Sequence, residues 1–251
     1  MVSTKKTAIV ICNYNMPERT DALCRRIIRT VKQPYQLFVV DNGSDLVDKS
    51  KYTNIHIENN RQTTGGFRAG IQAARQSGFD YYWLIITSTA FMDDERDPLG
   101  MLLPLMDDDV YAVSPAVIFN DSAWSQWMSP RKLEPIVRRV WGIDYLCALI
   151  DAKKYHEIGG LRPELTMMWG NIGECNWKAR QKGWKILVND NYVVEKETNI
   201  GYTMDRMNMT AKDRGRLATE QCENILAPIY GEDFRDKFRF EYTELGVDGD
   251  Y

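Results

Sequence analysis

Asp41 stands at the end of an apolar run, in Val39-Val40-Asp41-Asn42-Gly43-Ser44-Asp45. A carboxylate at a strand end can accept hydrogen bonds from a base N–H or a ribose hydroxyl. The same four residues from Asp41 are also strong turn chemistry in their own right. A second polar cluster, Asn13-Tyr14-Asn15, closes the apolar run that opens the chain. A third, Arg61 with Gly65, Gly66 and Arg68, marks a loop-to-helix start, where free backbone N–H groups and the positive end of the helix dipole suit a diphosphate. Its plainer reading is a solvated helix cap with incidental arginines. Tryptophans offer flat faces to sugar C–H groups, which makes Trp124, Trp127, Trp141 and Trp169 candidates to line an acceptor cleft, though isolated tryptophans are commonly core.

The elements that must position these residues follow from hydrophobic periodicity. Apolar runs at 7–12, 36–40, 54–58 and 81–86 alternate with helical patterns near 18–31 and 65–77, the rhythm of βαβ units and a mainly parallel sheet. In the second helix Phe67, Gly70, Ile71 and Ala74 fall on one face. Beyond residue 100 the spacing predicts strands at 110–119 and 140–150, a helix over 171–182, the short strands WKILV and NYVVE, and helices near 208–228 and 232–241. The expected division is a domain over 1–200 and a helical extension over 201–251 that packs on it. Two roles suit those last helices: covering the acceptor site or pairing two copies of the chain.

The 251 residues, 44% of them hydrophobic, can bury one large core. A formal charge of −3, from 32 Lys and Arg against 35 Asp and Glu, gives no global basic field for nucleic acid or an anionic membrane. Local phosphate contacts from Lys212, Arg214 and Arg216, or from Arg131-Lys132 and Arg138-Arg139, are still compatible with it. Five scattered cysteines do not make a disulfide framework, and no 18-residue apolar stretch occurs, so the expected setting is cytoplasmic, with no membrane span.

Three nucleotide folds compete for such an N-terminal pattern. A dinucleotide binder needs G-x-G-x-x-G after the first strand and a P-loop enzyme needs G-x-x-x-x-G-K-[ST], as glycine-rich loops let backbone approach phosphate. The chain has Asn13-Tyr14-Asn15-Met16-Pro17 there instead, which disfavours both, and sugar nucleotidyltransferases with them.

The ordered set Asn13-Tyr14-Asn15, Val39 to Asp45, and Asn60 to Gly70 resembles the family-2 glycosyltransferases and their rhamnosyl- and galactofuranosyl-transferring relatives, whose segments read roughly T-Y-N-R, V-V-D-N-x-S-x-D and N-x-G-x-A-G-G-F-x-x-G. Gly159 to Glu164, Trp169 to Cys175 and Arg180 to Ile186 are similar to the family's later motifs, so the likeness spans about residues 7–200. It implies a GT-A fold, an α/β architecture with a central, mostly parallel sheet flanked by helices, and transfer of a sugar from a UDP- or dTDP-linked donor to a hydroxyl acceptor with inversion. The acceptors it implies are a glycan, a lipid-linked sugar or a small molecule, with a hydroxymethylated base in DNA a less favoured alternative. The resemblance puts Asp41 and Asn42 on the nucleoside and Asn13, Tyr14 and Asn15 beside it.

The chain also departs from that family. Where an acidic Asp-x-Asp motif holds Mg²⁺ or Mn²⁺, it has Thr87-Ser88-Thr89, and hydroxyls are poor substitutes for carboxylates around a hard cation. A rival register puts Asp93 and Asp94 there as metal ligands. A late histidine of the family is replaced by a segment with Lys196, which implies that Lys196, Arg61 or Arg68 neutralises the diphosphate in place of a cation. The family's Glu-Asp pair falls on Asn171 and Ile172. Glu174, in the place of the last acid, is then the first candidate for the base that takes the acceptor's proton, with Asp144 the second; the plainer reading of Glu174 is an i,i+4 pair with Lys178. Trp141 and Trp169 are the acceptor-side candidates. A competing reading keeps the fold and loses catalysis, leaving a sugar-nucleotide-binding or scaffolding protein.

Overall fold

The computed structural model describes residues 5–45, 49–92, 95–119, 136–197 and 209–238. Strands β1 (Thr7–Asn13), β2 (Tyr35–Asn42), β3 (Ile55–Ile57) and β4 (Tyr81–Ile86) pair in parallel in the spatial order β3-β2-β1-β4. Every residue of β1 is buried, as a strand covered by helices on both faces demands. Two helices supply that cover. Helix α1 (Pro17–Thr30) starts with proline in its first turn and buries Thr20, Leu23, Cys24 and Ile27 along one stripe. Helix α2 (Gln62–Arg75) buries Thr64, Phe67, Ile71 and Ala74 in the same way.

Beyond β4 the sheet becomes mixed. The order continues β8-β6-β9-β5, with β5 (Thr89–Phe91), β6 (Val110–Phe119), β8 (Cys147–Asp151) and β9 (Lys185–Lys196), while β7 (Val137–Arg139) pairs with β9 off this path. β8 runs antiparallel to β4 and β6, so the mainly parallel sheet expected from the sequence holds for the first four strands and the β6–β9 pair alone. Helices α3 (Pro98–Leu102), α4 (Ala152–Glu157) and α5 (Asn171–Gln181) flank it. The reversal at β8 matters for the site, because it brings the start of β8 to the C-terminal ends of β1, β2 and β4.

The apolar run at 140–150 is a strand only from Cys147 onward. Its first part is buried as irregular chain, which is stable there because side chains of α5 satisfy its carbonyls: Asn176 Nδ2 donates to Ile143 O at 3.0 Å and Arg180 donates to Trp141 O. The two short strands expected at WKILV and NYVVE are one strand, β9, whose pairing with β6 shifts register between Pro115 and Ala116. Beyond residue 208, α6 (Ala211–Tyr230) and α7 (Phe234–Lys237) form a small satellite core in which Cys222, Leu226, Phe234 and Phe238 meet Leu165 and Trp177. No helix among the described residues is long and apolar enough to cross a membrane. All five cysteines are buried and free.

The paired glycines lie inside α2, in its first turns, and not in a loop before it. A Cβ at Gly66 would overlap Cys12 Sγ, and one at Gly70 would overlap Val10 Cγ1, so these glycines let the helix press onto β1. Gly66→Ala is therefore expected to lower stability by about 1–3 kcal/mol through overpacking, more than the fraction of a kcal/mol that alanine returns as a better helix former. Thermal denaturation checks this, and an unchanged or raised melting temperature would contradict the close packing of α2 on β1.

Candidate donor and acceptor site

The C-terminal ends of β1, β2 and β4 and the chain entering β8 converge on one edge of the sheet. Asp41 is buried there, level with Asn13 in the β1–β2 register. Its Oδ2 lies 3.3 Å from Lys49 Nζ and 3.8 Å from His56 Nδ1, whereas its Oδ1 is buried with no hydrogen-bond partner among the described residues. An unmet carboxylate oxygen costs free energy unless something outside the chain donates to it. Lys49 and His56 were not expected here from the sequence; β3 delivers His56 by pairing it with Asp41, a tertiary relation with no local signal.

The loops around Asp41 brace one another. Asn15, with φ +56°, accepts from Asp45 N through Oδ1 at 2.9 Å and donates from Nδ2 to Asp45 Oδ2 at 3.3 Å. Tyr14 OH donates to the same oxygen at 3.3 Å, and Asn15 N donates to Ser44 Oγ at 2.8 Å. Asn13 Oδ1 accepts from Met16 N, which sets the turn into α1. Asn42 accepts from Arg61 N at 3.1 Å and donates to Gln62 O at 2.8 Å. Asn13, Asn15 and Asn42 thus spend their side chains on building the rim.

The start of α2 is not the open anion cradle expected from the sequence. Arg61 N goes to Asn42, Gln62 N to Asn60 Oδ1 at 2.7 Å, and Thr64 N to Thr166 O at 3.1 Å. Gly65 and Gly66 face Arg61 Cβ and Cys12, and Arg68 donates to Leu161 O. Of that set, the Arg61 side chain, on the cap residue, is the cation left facing outward.

Thr87 and Ser88 form the turn between β4 and β5, and Thr89 opens β5. Thr87 lies beside the end of β1, with Oγ1 3.5 Å from Cys12 O, and Thr89 Oγ1 donates to Leu146 O at 3.1 Å. Three hydroxyls with no carboxylate among them are a poor ligand set for a hard cation. Asp93 and Asp94 lie outside the described residues, as do Trp124, Trp127 and Arg131-Lys132; among the described residues no three His, Cys, Asp or Glu side chains cluster as metal ligands would. Lys196 pairs with Thr89 on the sheet edge, its Nζ donating to Glu197 O at 2.7 Å. Asp144, half-buried, precedes Leu146 by two residues, and Leu146 O also accepts from Ile86 N at 3.0 Å, so this segment borders the end of β4.

Glu174 does not meet the requirements of a general base. Its side chain is 0% exposed, and its carboxylate takes bonds of 2.7–2.9 Å from the Arg162 guanidinium, 3.0 Å from Lys178 Nζ, and a further one from Tyr230 OH. Burial pushes the carboxyl up, but the bonds from Arg162, Tyr230 and Lys178 outweigh it and hold it below the ordinary range, the reverse of what a proton acceptor near neutrality needs. The group is a lock between α5, the 160–170 segment and α6. Arg162 and Tyr230, 12 and 56 residues away, carry no sequence signal for it.

Asn171 has a similar role. It accepts from Arg162 N at 2.6 Å and donates to Leu165 O at 2.9 Å and Thr64 Oγ1 at 3.2 Å, which ties the 160–171 segment to α2. Trp141 is overlaid by the Arg180 guanidinium, 4.7 Å from its ring centre, so that face is not open to a sugar; burial lowers Arg180 to about 10. Trp169 differs. It is 40% exposed, between Met168 at φ +68° and Gly170 at φ +80°, with Met168 N donating to Thr64 Oγ1 at 3.1 Å. A non-glycine residue held in the left-handed region costs free energy, and here the strained residue bonds the first turn of α2 while the next one leaves its indole exposed.

No protein-family model and no curated protein sequence matches the chain. Solved structures do resemble it, among them one described as GalNAc-T7 with UDP, GalNAc and Mn²⁺, at 15% identity and a TM-score of 0.60. The likeness covers 77% of this chain and 44% of that one, so the chain spans less than half of its length. The chain has the GT-A glycosyltransferase fold: a central mixed sheet flanked by helices.

Proposed function

We propose that the chain transfers a sugar from a nucleoside-diphosphate donor, UDP- or dTDP-linked, to a hydroxyl acceptor. The observation that carries this reading is Asp41 Oδ1, a buried acceptor without a donor among the described residues, at the strand-end edge where open α/β sheets take ligands. A base N–H or ribose hydroxyl would satisfy it. UDP and GalNAc, the ligands named for the GalNAc-T7 structure, fit the same class.

In this reading residues 1–200 form the donor-binding domain, residues 201–251 are a helical extension that packs on it, and the acceptor sugar stacks on Trp169. Transfer is direct and inverting. Asp144 takes the proton of the acceptor hydroxyl as its oxygen bonds to the anomeric carbon, and the bond from that carbon to the diphosphate breaks. Arginines, Arg61 among them, balance the leaving diphosphate in place of a cation, since the described groups at the end of β4 are hydroxyls. The free buried cysteines support a cytoplasmic setting.

Donor turnover in wild type and Asp144→Asn, each in Mn²⁺ and in EDTA, tests the mechanism. The variant is expected to lose roughly 10²–10⁴ in kcat with donor affinity unchanged, and wild-type turnover to survive EDTA. Full activity in Asp144→Asn rejects Asp144 as base; activity restored by Mn²⁺ alone rejects the arginines and moves the charge balance to Asp93 and Asp94.

A further inference from the structure

Three of the buried or half-buried arginines among the described residues are matched by acceptors. Arg138 makes a bidentate pair with Asp190 at 2.9–3.1 Å, Arg162 pairs with Glu174, and Arg180 donates to two backbone carbonyls and stacks on Trp141. The half-buried Arg214 guanidinium has no hydrogen-bonding or ionic partner among the described residues, as is also true of Arg139 at the far side of the sheet path in β7. Arg214 is half-buried, and that partial desolvation pulls it below its ordinary range, a cost that a bound anion would offset. Its neighbours on α6 do not share this: Arg216 is exposed and pairs with Glu220 at 2.7 Å.

Position says what such a charge is for. Arg214 is in line with Ala218, Cys222 and Leu226, four residues apart each time, so it continues the core-facing stripe of α6. Lower on that stripe the helix is packed: Cys222 and Leu226 sit where a Cβ on Gly170 would lie 2.8 and 2.9 Å from them. Gln221 donates to Thr166 Oγ1 at 3.0 Å, next to the carbonyl that holds Thr64 N. Nearly two turns higher, Gly215 lies beside the exposed Trp169 ring. Arg214, about 12 Å along the axis from Cys222, is therefore where the stripe runs past the packed core toward the indole and the first turn of α2.

We propose that Arg214 is a diphosphate-binding residue, contributed by α6, whose guanidinium receives the phosphates of the nucleotide whose nucleoside end is held at Asp41. The proposal rests on the donor-site reading above, and it gives a half-buried cation at the end of a core-facing stripe an anion to bind. A bidentate guanidinium suits phosphate oxygens better than an ammonium does.

The test is calorimetric titration of wild type, Arg214→Gln and Arg214→Lys with UDP or dTDP, whichever wild type binds more tightly, with the matching nucleoside, and with inorganic pyrophosphate, beside melting curves of the unliganded proteins. Arg214→Gln is expected to bind the nucleoside diphosphate roughly 10–100-fold more weakly, to bind the nucleoside as wild type does, and to melt no lower than wild type. Arg214→Lys should fall between the two. Equal nucleoside diphosphate affinity in Arg214→Gln overturns the proposal, as does a lowered melting temperature with a matching loss of nucleoside binding, which would make Arg214 structural. If wild type binds no nucleoside diphosphate, the donor-site reading fails by itself; pyrophosphate binding that disappears in Arg214→Gln then still supports Arg214 as an anion site, and absence of pyrophosphate binding overturns it.

Discussion

Glu174→Gln is expected to cost about 3 kcal/mol of stability, at the lower end of what breaking a buried ion pair costs because Arg162 and Lys178 are 30% and 25% exposed and regain some water. For a chain of this size that corresponds to a fall of roughly 6–12 °C in melting temperature. The loss is distributed over three elements, since the one carboxylate joins α5, the 160–170 segment and, through Tyr230, α6. Tyr230→Phe, which removes a single hydroxyl, is expected to cost only about 1 kcal/mol.

The pH dependence gives a sharper signature. The folded-state value of the Glu174 carboxyl lies below its ordinary value of 4.5, so its stabilisation is complete above that pH and is lost as pH falls below it through the folded value. Wild type should lose stability steeply in that acid range and Glu174→Gln less so. Denaturation curves of the two proteins from neutral pH into that range check both statements. Parallel curves, or a variant as stable as wild type, would show that Glu174 is not the lock, and would reopen its candidacy as the base.

The second large effect is expected on ligand binding. Asp41→Ala should weaken nucleoside diphosphate binding by about 10–100-fold, the amount associated with losing a hydrogen bond to a charged group. It should do so with little change in the melting temperature of the free protein. Asp41 Oδ1 bonds nothing among the described residues, and the partners of Oδ2, Lys49 and His56, are 33% and 65% exposed and return to water at small cost. A residue that served only to hold the Asp41-to-Asp45 turn would behave in the opposite way, with a lower melting temperature and unaltered affinity. Isothermal titration of the free protein, with melting curves beside it, separates the two.

The contrast between Asp41 and Glu174 shows which parts of the site could be read from the chain. β1 to β4 and their helices were legible because strands buried on both faces are unbroken apolar runs, and helices that cover them carry a single apolar stripe. Asp41 was legible for the same reason, as the first acid after such a run. The start of α2 was read less well: a glycine pair signals close approach of the backbone but does not say to what, and here the partner is Cys12 and not a phosphate. Glu174 was misassigned because its i,i+4 pair with Lys178 is local, whereas Arg162 and Tyr230 reach it through tertiary structure. The run at 140–150 was misread as strand throughout because apolar composition reports burial, and Asn176 and Arg180 stabilise an irregular path by bonding its carbonyls.

Arg214 belongs with these tertiary features. In the sequence it is one of three alternating basic residues on a polar helix, which usually means a solvated face. The packed helix separates the three: Arg216 is exposed and paired, Lys212 is exposed, and Arg214 turns inward along the stripe of Ala218 and Cys222.

The most direct test of glycosyl transfer is a screen of UDP- and dTDP-sugars for nucleotide release by the wild-type protein, run with EDTA present and with candidate hydroxyl acceptors added. A transferase of this kind is expected to turn over at least one donor, to do so faster when an acceptor is present, and to lose the signal in both Asp41→Ala and Asp144→Asn. Donor binding without any release of nucleotide would contradict it, and would leave a sugar-nucleotide-binding protein on a transferase fold.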